Sequence, residues 1–225
     1  MIARRAVILG FVLLLSVPGG SLAGQARRMI LALGNPGFIN AGSLQGSPGA
    51  EIVMDAGKAK VKDLSVIVLA NIAHGSLPGP VQQALEAYVS EGGSLLLTGG
   101  PQAFGSGGYQ AVSTVIPFLI RSTADWRATP FKPPLPIQPG HPIMAGVTFI
   151  PIGNLNDMNP RPGANEILRA AGGQGSLPYP LIAETSFGAG RVIGVAFDLN
   201  ELSGMADRDL FVRNTLSYLL AASRH

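Results

Sequence analysis

Gly92-Gly93-Ser94-Leu95-Leu96-Leu97-Thr98-Gly99-Gly100-Pro101-Gln102-Ala103-Phe104-Gly105-Ser106-Gly107-Gly108-Tyr109 is the stretch that decides the fold. A short apolar strand empties straight into a glycine-rich loop, and open α/β sheets place their binding crevices at such strand ends. Upstream, Leu77-Pro78-Gly79-Pro80 opens a helix, where proline in the first turn costs no hydrogen bond. Val81, Leu85, Tyr88 and Val89 fall at i, i+4, i+7 and i+8, which makes one apolar face. Gly92 and Gly93 then read as left-handed C-cap residues. Ser65 to Asn71, apolar and β-branched, reads as the strand before the helix. Strand, helix and strand at this spacing form a parallel crossover unit.

Working outward, Arg28 to Gly34 reads as a first buried strand and Ala50 to Met54 as a short one. Asn35 to Gly49 reads as loop, with little helical pattern where a crossover helix would normally stand. Gly107 to Ile116 predicts a further short helix. Arg121 to His141 carries five prolines and reads as an extended segment crossing the surface, neither helix nor inner strand. Val147 to Ile150 predicts a strand and Asn154 to Gly163 a loop. Pro180 to Phe187 and Arg191 to Phe197 form a hairpin around Gly188-Ala189-Gly190. Asp207 to Leu220 closes the chain as a helix, with Leu210, Phe211, Asn214, Tyr218 and Leu219 near its inner face and Leu216 less central. No internal repeat is visible. The expected fold is a three-layer α/β sandwich, with a mostly parallel sheet and an antiparallel hairpin near one edge.

The N-terminus reads as an export signal. Arg4 and Arg5 precede an apolar run from Ala6 to Val17, followed by Pro18-Gly19-Gly20-Ser21-Leu22-Ala23. That run is shorter than the roughly 20 residues a spanning helix needs. Residues 1–23 are therefore expected to be a signal peptide, cleaved after Ala23 or Ala26, and the mature protein periplasmic or secreted. The alternative is an uncleaved N-terminal anchor, the one route to a membrane. Without residues 1–23 the chain keeps 14 Lys and Arg against 13 Asp and Glu, so its basic balance largely disappears. It has no basic block, and nucleic acid is not an expected partner. Zero cysteines exclude disulfides, thiolate catalysis and cysteine-held metals. With 47% hydrophobic residues, the chain relies on its core.

The glycine loop lacks the Lys-Ser/Thr pair of a phosphate-binding loop, and Gln110 breaks the dinucleotide pattern. It reads either as a shaped loop anchored by Phe104 and Tyr109 or as a cradle for a small ligand or partner. No Gly-x-Ser-x-Gly elbow is present. His74 follows a strand tip and is within reach of the sheet's carboxyl edge. His141, in Gly140-His141-Pro142, suits capping or packing, and His225 is terminal. Their spacing gives no metal signal. No cofactor is expected.

Asp63 to Asn71, Leu85 to Gly93, and Gly99-Gly100-Pro101-Gln102-Ala103-Phe104-Gly105-Ser106-Gly107-Gly108-Tyr109 together resemble the glutamine-amidotransferase-like domains of bacterial envelope proteins. Phe187-Gly188-Ala189-Gly190-Arg191-Val192-Ile193-Gly194-Val195-Ala196-Phe197-Asp198 resembles their closing hairpin. The resemblance implies a single class I glutamine amidotransferase-like domain over residues 28–222, built on a flavodoxin-like sheet. Enzymes of that class use a Cys nucleophile, a His that shuttles its proton and a Glu that orients the His. At the matching positions this chain has Thr98, Asp198 and Asn200. A threonine hydroxyl is a poor nucleophile without a base, and an unperturbed aspartate is already ionised near neutral pH.

The resemblance thus implies a non-catalytic module, a pseudoenzyme of the cell envelope. It would bind an envelope protein or small ligand at the carboxyl-edge crevice through Asn71, His74, Thr98, Gly99, Gly100, Tyr109, Asp198 and Asn200. Backbone N–H groups around Gly99 and Gly100 would be its donors. The alternative is a hydrolase or transferase centred on Asp198 as general base, with His74 nearby.

Overall fold

The computed structural model describes residues 28–128, 134–148, 152–170 and 179–224. The expected signal segment and His225 lie outside the described residues. Three apolar runs become β1 (Arg28–Gly34), β2 (Ala50–Val53) and β3 (Leu64–Ala70). The segment after β1 contains only a 3-10 turn, Ala41–Leu44. Helix α1 (Gly79–Ser90) buries Val81, Leu85, Tyr88 and Val89, the face read from the sequence. It hands over to β4 (Ser94–Thr98). Gly92 takes a φ of +117°, as a C-cap glycine should, whereas Gly93 does not enter the left-handed region. A Cβ at Gly93 would sit 2.2 Å from the Tyr88 ring, so that glycine admits an aromatic side chain instead.

The middle of the chain holds strands that the sequence did not announce. They are β5 (Phe118–Ile120), β6 (Trp126–Ala128), β7 (Pro134–Pro136), β8 (Asn154–Asn156), β9 (Met158–Pro160) and β10 (Asn165–Ala170). β8 and β9 replace the loop expected over Asn154 to Gly163. β5 pairs with β9 and β6 with β8, as two small antiparallel ribbons. Val147 and Thr148 are not strand, and residues 149–151 lie outside the described residues. Tyr109–Val115 is a 3-10 segment rather than an α-helix. β11 (Tyr179–Phe187) and β12 (Gly190–Val195) form the expected hairpin, and α2 (Ala206–Ala222) closes the chain.

The main sheet runs β2-β1-β3-β4-β12-β11-β10-β7. Pairing is parallel from β2 to β12 and antiparallel beyond it. With β12 as the fifth strand, this is the flavodoxin-like order. The proline strand β7 lies at the edge, where missing N–H groups are tolerated. Side chains alternate across the sheet. Ile30, Val66, Val68 and Leu96 pack with α2, while Leu31, Ile67, Leu69, Leu95 and Leu97 pack with α1. Each buried Leu, Ile or Val of this kind contributes about 1.5–3 kcal/mol of transfer free energy. Helix α2 meets the sheet through Phe211, Val212, Thr215, Leu216, Leu219 and Leu220. Leu216 is thus central, and the inner face is turned from the one expected. Asn214 and Tyr218 are half-buried at its flank because their polar tips bond Ala145 and Glu184.

Candidate functional site

Four parallel strands end along one edge, and the residue types just beyond them build the site. Asn35 follows β1, Asn71 follows β3, Thr98 ends β4, and Asp198 stands three residues past β12. Asn71 has a φ of +43°, a left-handed conformation that asparagine tolerates better than most residues. Its amide Oδ1 accepts from the Gln102 N–H at 2.8 Å, and its Nδ2 donates to Asp198 Oδ2 at 3.3 Å. The amide lies against Gly100, whose φ is +142° and where a Cβ would come within 2.2 Å of Asn71 Cγ. Asp198 is 8% exposed, and its Oδ1 accepts from both the backbone N–H and the Nδ2 of Asn200, each at 2.9 Å. Asn200 Nδ2 also reaches the Asn35 carbonyl at 2.9 Å, which ties the end of β1 to the site. Asp198 thereby caps the 3-10 turn Leu199–Leu202.

Beneath this surface network Thr98 is 1% exposed, and its Oγ1 has no hydrogen-bond partner among the described residues. Alternation along β4 puts it on the α2 face with Leu96. Thr98 does not stand in a tight strand-to-helix elbow. Turns follow it, and the only non-glycine residues of positive φ among the described residues are Asn71 and Phe104.

The glycine loop is held from inside. Asp125, fully buried, accepts from the N–H groups of Gly105 and Ser106 at 2.9 Å each, from Ser106 Oγ at 2.7 Å and from Asn156 Nδ2 at 3.1 Å. Asn156, also fully buried, accepts the Gly100 N–H at 2.9 Å and donates to the Gly100 carbonyl at 3.2 Å. Gly99 N–H donates to the Phe197 carbonyl at 3.0 Å. The donors expected at Gly99 and Gly100 are therefore spent on the protein itself. Where an anion cradle would hold a phosphate, an internal carboxylate already fills the place.

Asn71, Thr98, Gly99, Gly100, Asp198 and Asn200 thus come together, while His74 and Tyr109 form a separate pair. Their rings meet edge-on at 5.5 Å. Tyr109 is 1% exposed and donates to the Ile72 carbonyl at 3.0 Å, and burial pushes its phenol well above its usual pKa. It is an anchor of the loop and not a crevice wall. His74 holds Gln82 Nε2 at 3.5 Å through Nδ1, and burial lowers its pKa. Among the described residues, no hydrogen bond joins Asp198 to His74 or to Thr98, and no group of three metal-ligating side chains occurs. The sequence reading missed Asp125, Asn156 and Gln102. A glycine loop rich in N–H groups calls for an acceptor, but nothing local shows which one.

No family model matches this sequence, and no curated protein does. Solved structures do match in shape. The cytoplasmic protein STM1381 from Salmonella typhimurium LT2 aligns with a TM-score of 0.67 at 15% identity, over 87% of this chain and 100% of that one. The cytoplasmic protein STM3548 from Salmonella typhimurium aligns at 0.64 and 16% identity, over 85% and 98%. A ThuA-like protein from Bacteroides uniformis aligns at 0.60 and 12% identity, over 92% and 96%. At these identities the likeness concerns the fold, which is class I glutamine amidotransferase-like and shared with ThuA-like proteins.

Proposed function

We propose that this protein is an exported, non-catalytic amidotransferase-like module of the cell envelope that binds a partner protein or small ligand at the carboxyl-edge crevice. The observation that carries the reading is the state of the nucleophile's position. Thr98 is buried, and its hydroxyl is bonded to no base among the described residues. A nucleophile needs a base within hydrogen-bond reach. Both Asp198 oxygens are engaged by asparagine donors, which suits a fixed polar wall better than a proton acceptor. Export rests on the N-terminal pattern of the sequence, and no helix among the described residues is long and apolar enough to cross a membrane.

Two measurements test the proposal. Purified protein incubated with glutamine should release ammonia only at the background rate. Release that disappears on Thr98→Val would overturn the non-catalytic reading. Material co-purifying with the mature protein from its native envelope should be lost in Asp198→Ala. An identical set of components in both would overturn the crevice as the binding surface.

A further inference from the structure

Between β2 and β3 the chain crosses the α1 face in residues 54–63, with two 3-10 turns, Ala56–Lys58 and Val61–Asp63, and no α-helix. Parallel strands are usually joined by a helix of a dozen or more residues. The thin crossover leaves a groove beside α1, about 480 Å³ in volume. That lies within the range of small-molecule sites. Leu31 and Val81, each 1% exposed, belong to its walls together with Ala59 and Ala84. The polar contribution is of one sign. Lys60 and Lys62 line the groove, both are exposed, no carboxylate is among the lining residues, and neither lysine has an ion-pair partner among the described residues. The groove shares no residue with the carboxyl-edge crevice.

We propose that this groove binds a medium-chain amphiphile carrying one negative charge, a fatty-acid-like carboxylate. Its chain lies along Ala59, Val61 and Ala84, over a floor made by the buried Leu31 and Val81, and its head group lies between Lys60 and Lys62. Both ammonium groups line the groove without an ion-pair partner among the described residues, and one carboxylate there gives each an opposite charge. The apolar walls supply transfer free energy in proportion to the area they cover. The head-group contribution is exposed, so salt screens it while leaving the apolar contribution intact.

The test uses decanoate and decanol as probes of the full-length mature protein, with affinities taken from amide shifts in NMR titrations. Decanoate should bind more tightly than decanol, and its advantage should shrink in high salt. Lys60→Gln with Lys62→Gln should weaken decanoate by about tenfold, the sum expected of two exposed ion pairs, and leave decanol unchanged. Ala84→Phe should fill the groove and remove both. Equal binding of the two probes, no effect of the lysine changes, or no binding of either probe would overturn the proposal. Self-association of the protein that Ala84→Phe abolishes would also overturn it, since the occupant would then be a second copy.

Discussion

At the scale of single residues, the buried and unpartnered hydroxyl of Thr98 is a cost to stability. A buried donor left unmade costs about 1–3 kcal/mol, while a methyl of the same shape costs nothing there. Thr98→Val should therefore raise the urea midpoint, with a gain of about 1 kcal/mol. A lower midpoint would mean that Thr98 Oγ1 is satisfied in solution. Much of this site was legible in the sequence. Asn71, Thr98, Asp198 and Asn200 converge because they stand at or within five residues of the carboxyl ends of three neighbouring parallel strands. Of the two readings of Tyr109, loop anchor and crevice wall, the structure bears out the anchor, since its side chain turns inward to the Ile72 carbonyl. Asp125 and Asn156 were invisible, since only the pairing of β6 with β8 carries them beneath the loop.

At the scale of elements, the flank of α2 is fastened to the antiparallel strands by one buried carboxylate. Glu184 on β11 accepts from Tyr218 Oη at 2.8 Å and Arg191 Nη1 at 2.5 Å, with His141 Nε2 at 3.3 Å and Asn165 Nδ2 at 3.4 Å around its second oxygen. Burial by itself would raise the pKa of Glu184. The Tyr218 hydrogen bond, the Arg191 charge and the His141 and Asn165 contacts outweigh it and hold the pKa below the usual carboxylate range. The shared hydrogen bond acts oppositely on Tyr218, where burial and then the Glu184 hydrogen bond push the pKa up to about 12 against the lowering effect of Arg191. A lowered carboxylate pKa stabilises the fold above the unfolded value, near pH 4.3, and that stability is lost as pH falls through the lower folded value. The urea midpoint should thus fall on acidification below about pH 4, and Glu184→Gln should flatten that fall. An unchanged slope in the variant would place the acid sensitivity elsewhere. His141, read as a capping or packing residue, does both here, since its Nδ1 accepts the Ile143 N–H at 3.4 Å. Long elements with one clear period were legible, as α1 and β4 show. The three-residue strands β5, β6, β8 and β9 were not, because they are too short for alternation to register and are fixed by partners far away in sequence.

At the scale of the whole molecule, the question is whether the fold kept a latent enzyme. A scaffold shared at 12–16% identity with ThuA-like and other proteins says nothing by itself about chemistry, which resides in sites placed on folds. Here the site differs from an amidotransferase in more than three side chains. Thr98 lies outside the strained conformations that expose a nucleophile, and its side chain is covered by the core. The backbone donors that would stabilise an oxyanion at Gly99 and Gly100 already bond Phe197 and Asn156. Oxyanion stabilisation is usually the largest single catalytic contribution, and donors already committed elsewhere cannot supply it. Asp198 also caps a turn, so exchanging it has a structural cost of about 1 kcal/mol. The triple variant Thr98→Cys, Asp198→His, Asn200→Glu should therefore fold, with a lower urea midpoint, and still release ammonia from glutamine no faster than the unaltered protein in a coupled glutamate assay. Glutaminase turnover in the folded variant would show that three side chains alone separate this protein from an enzyme, and that the committed backbone donors are freed when substrate arrives.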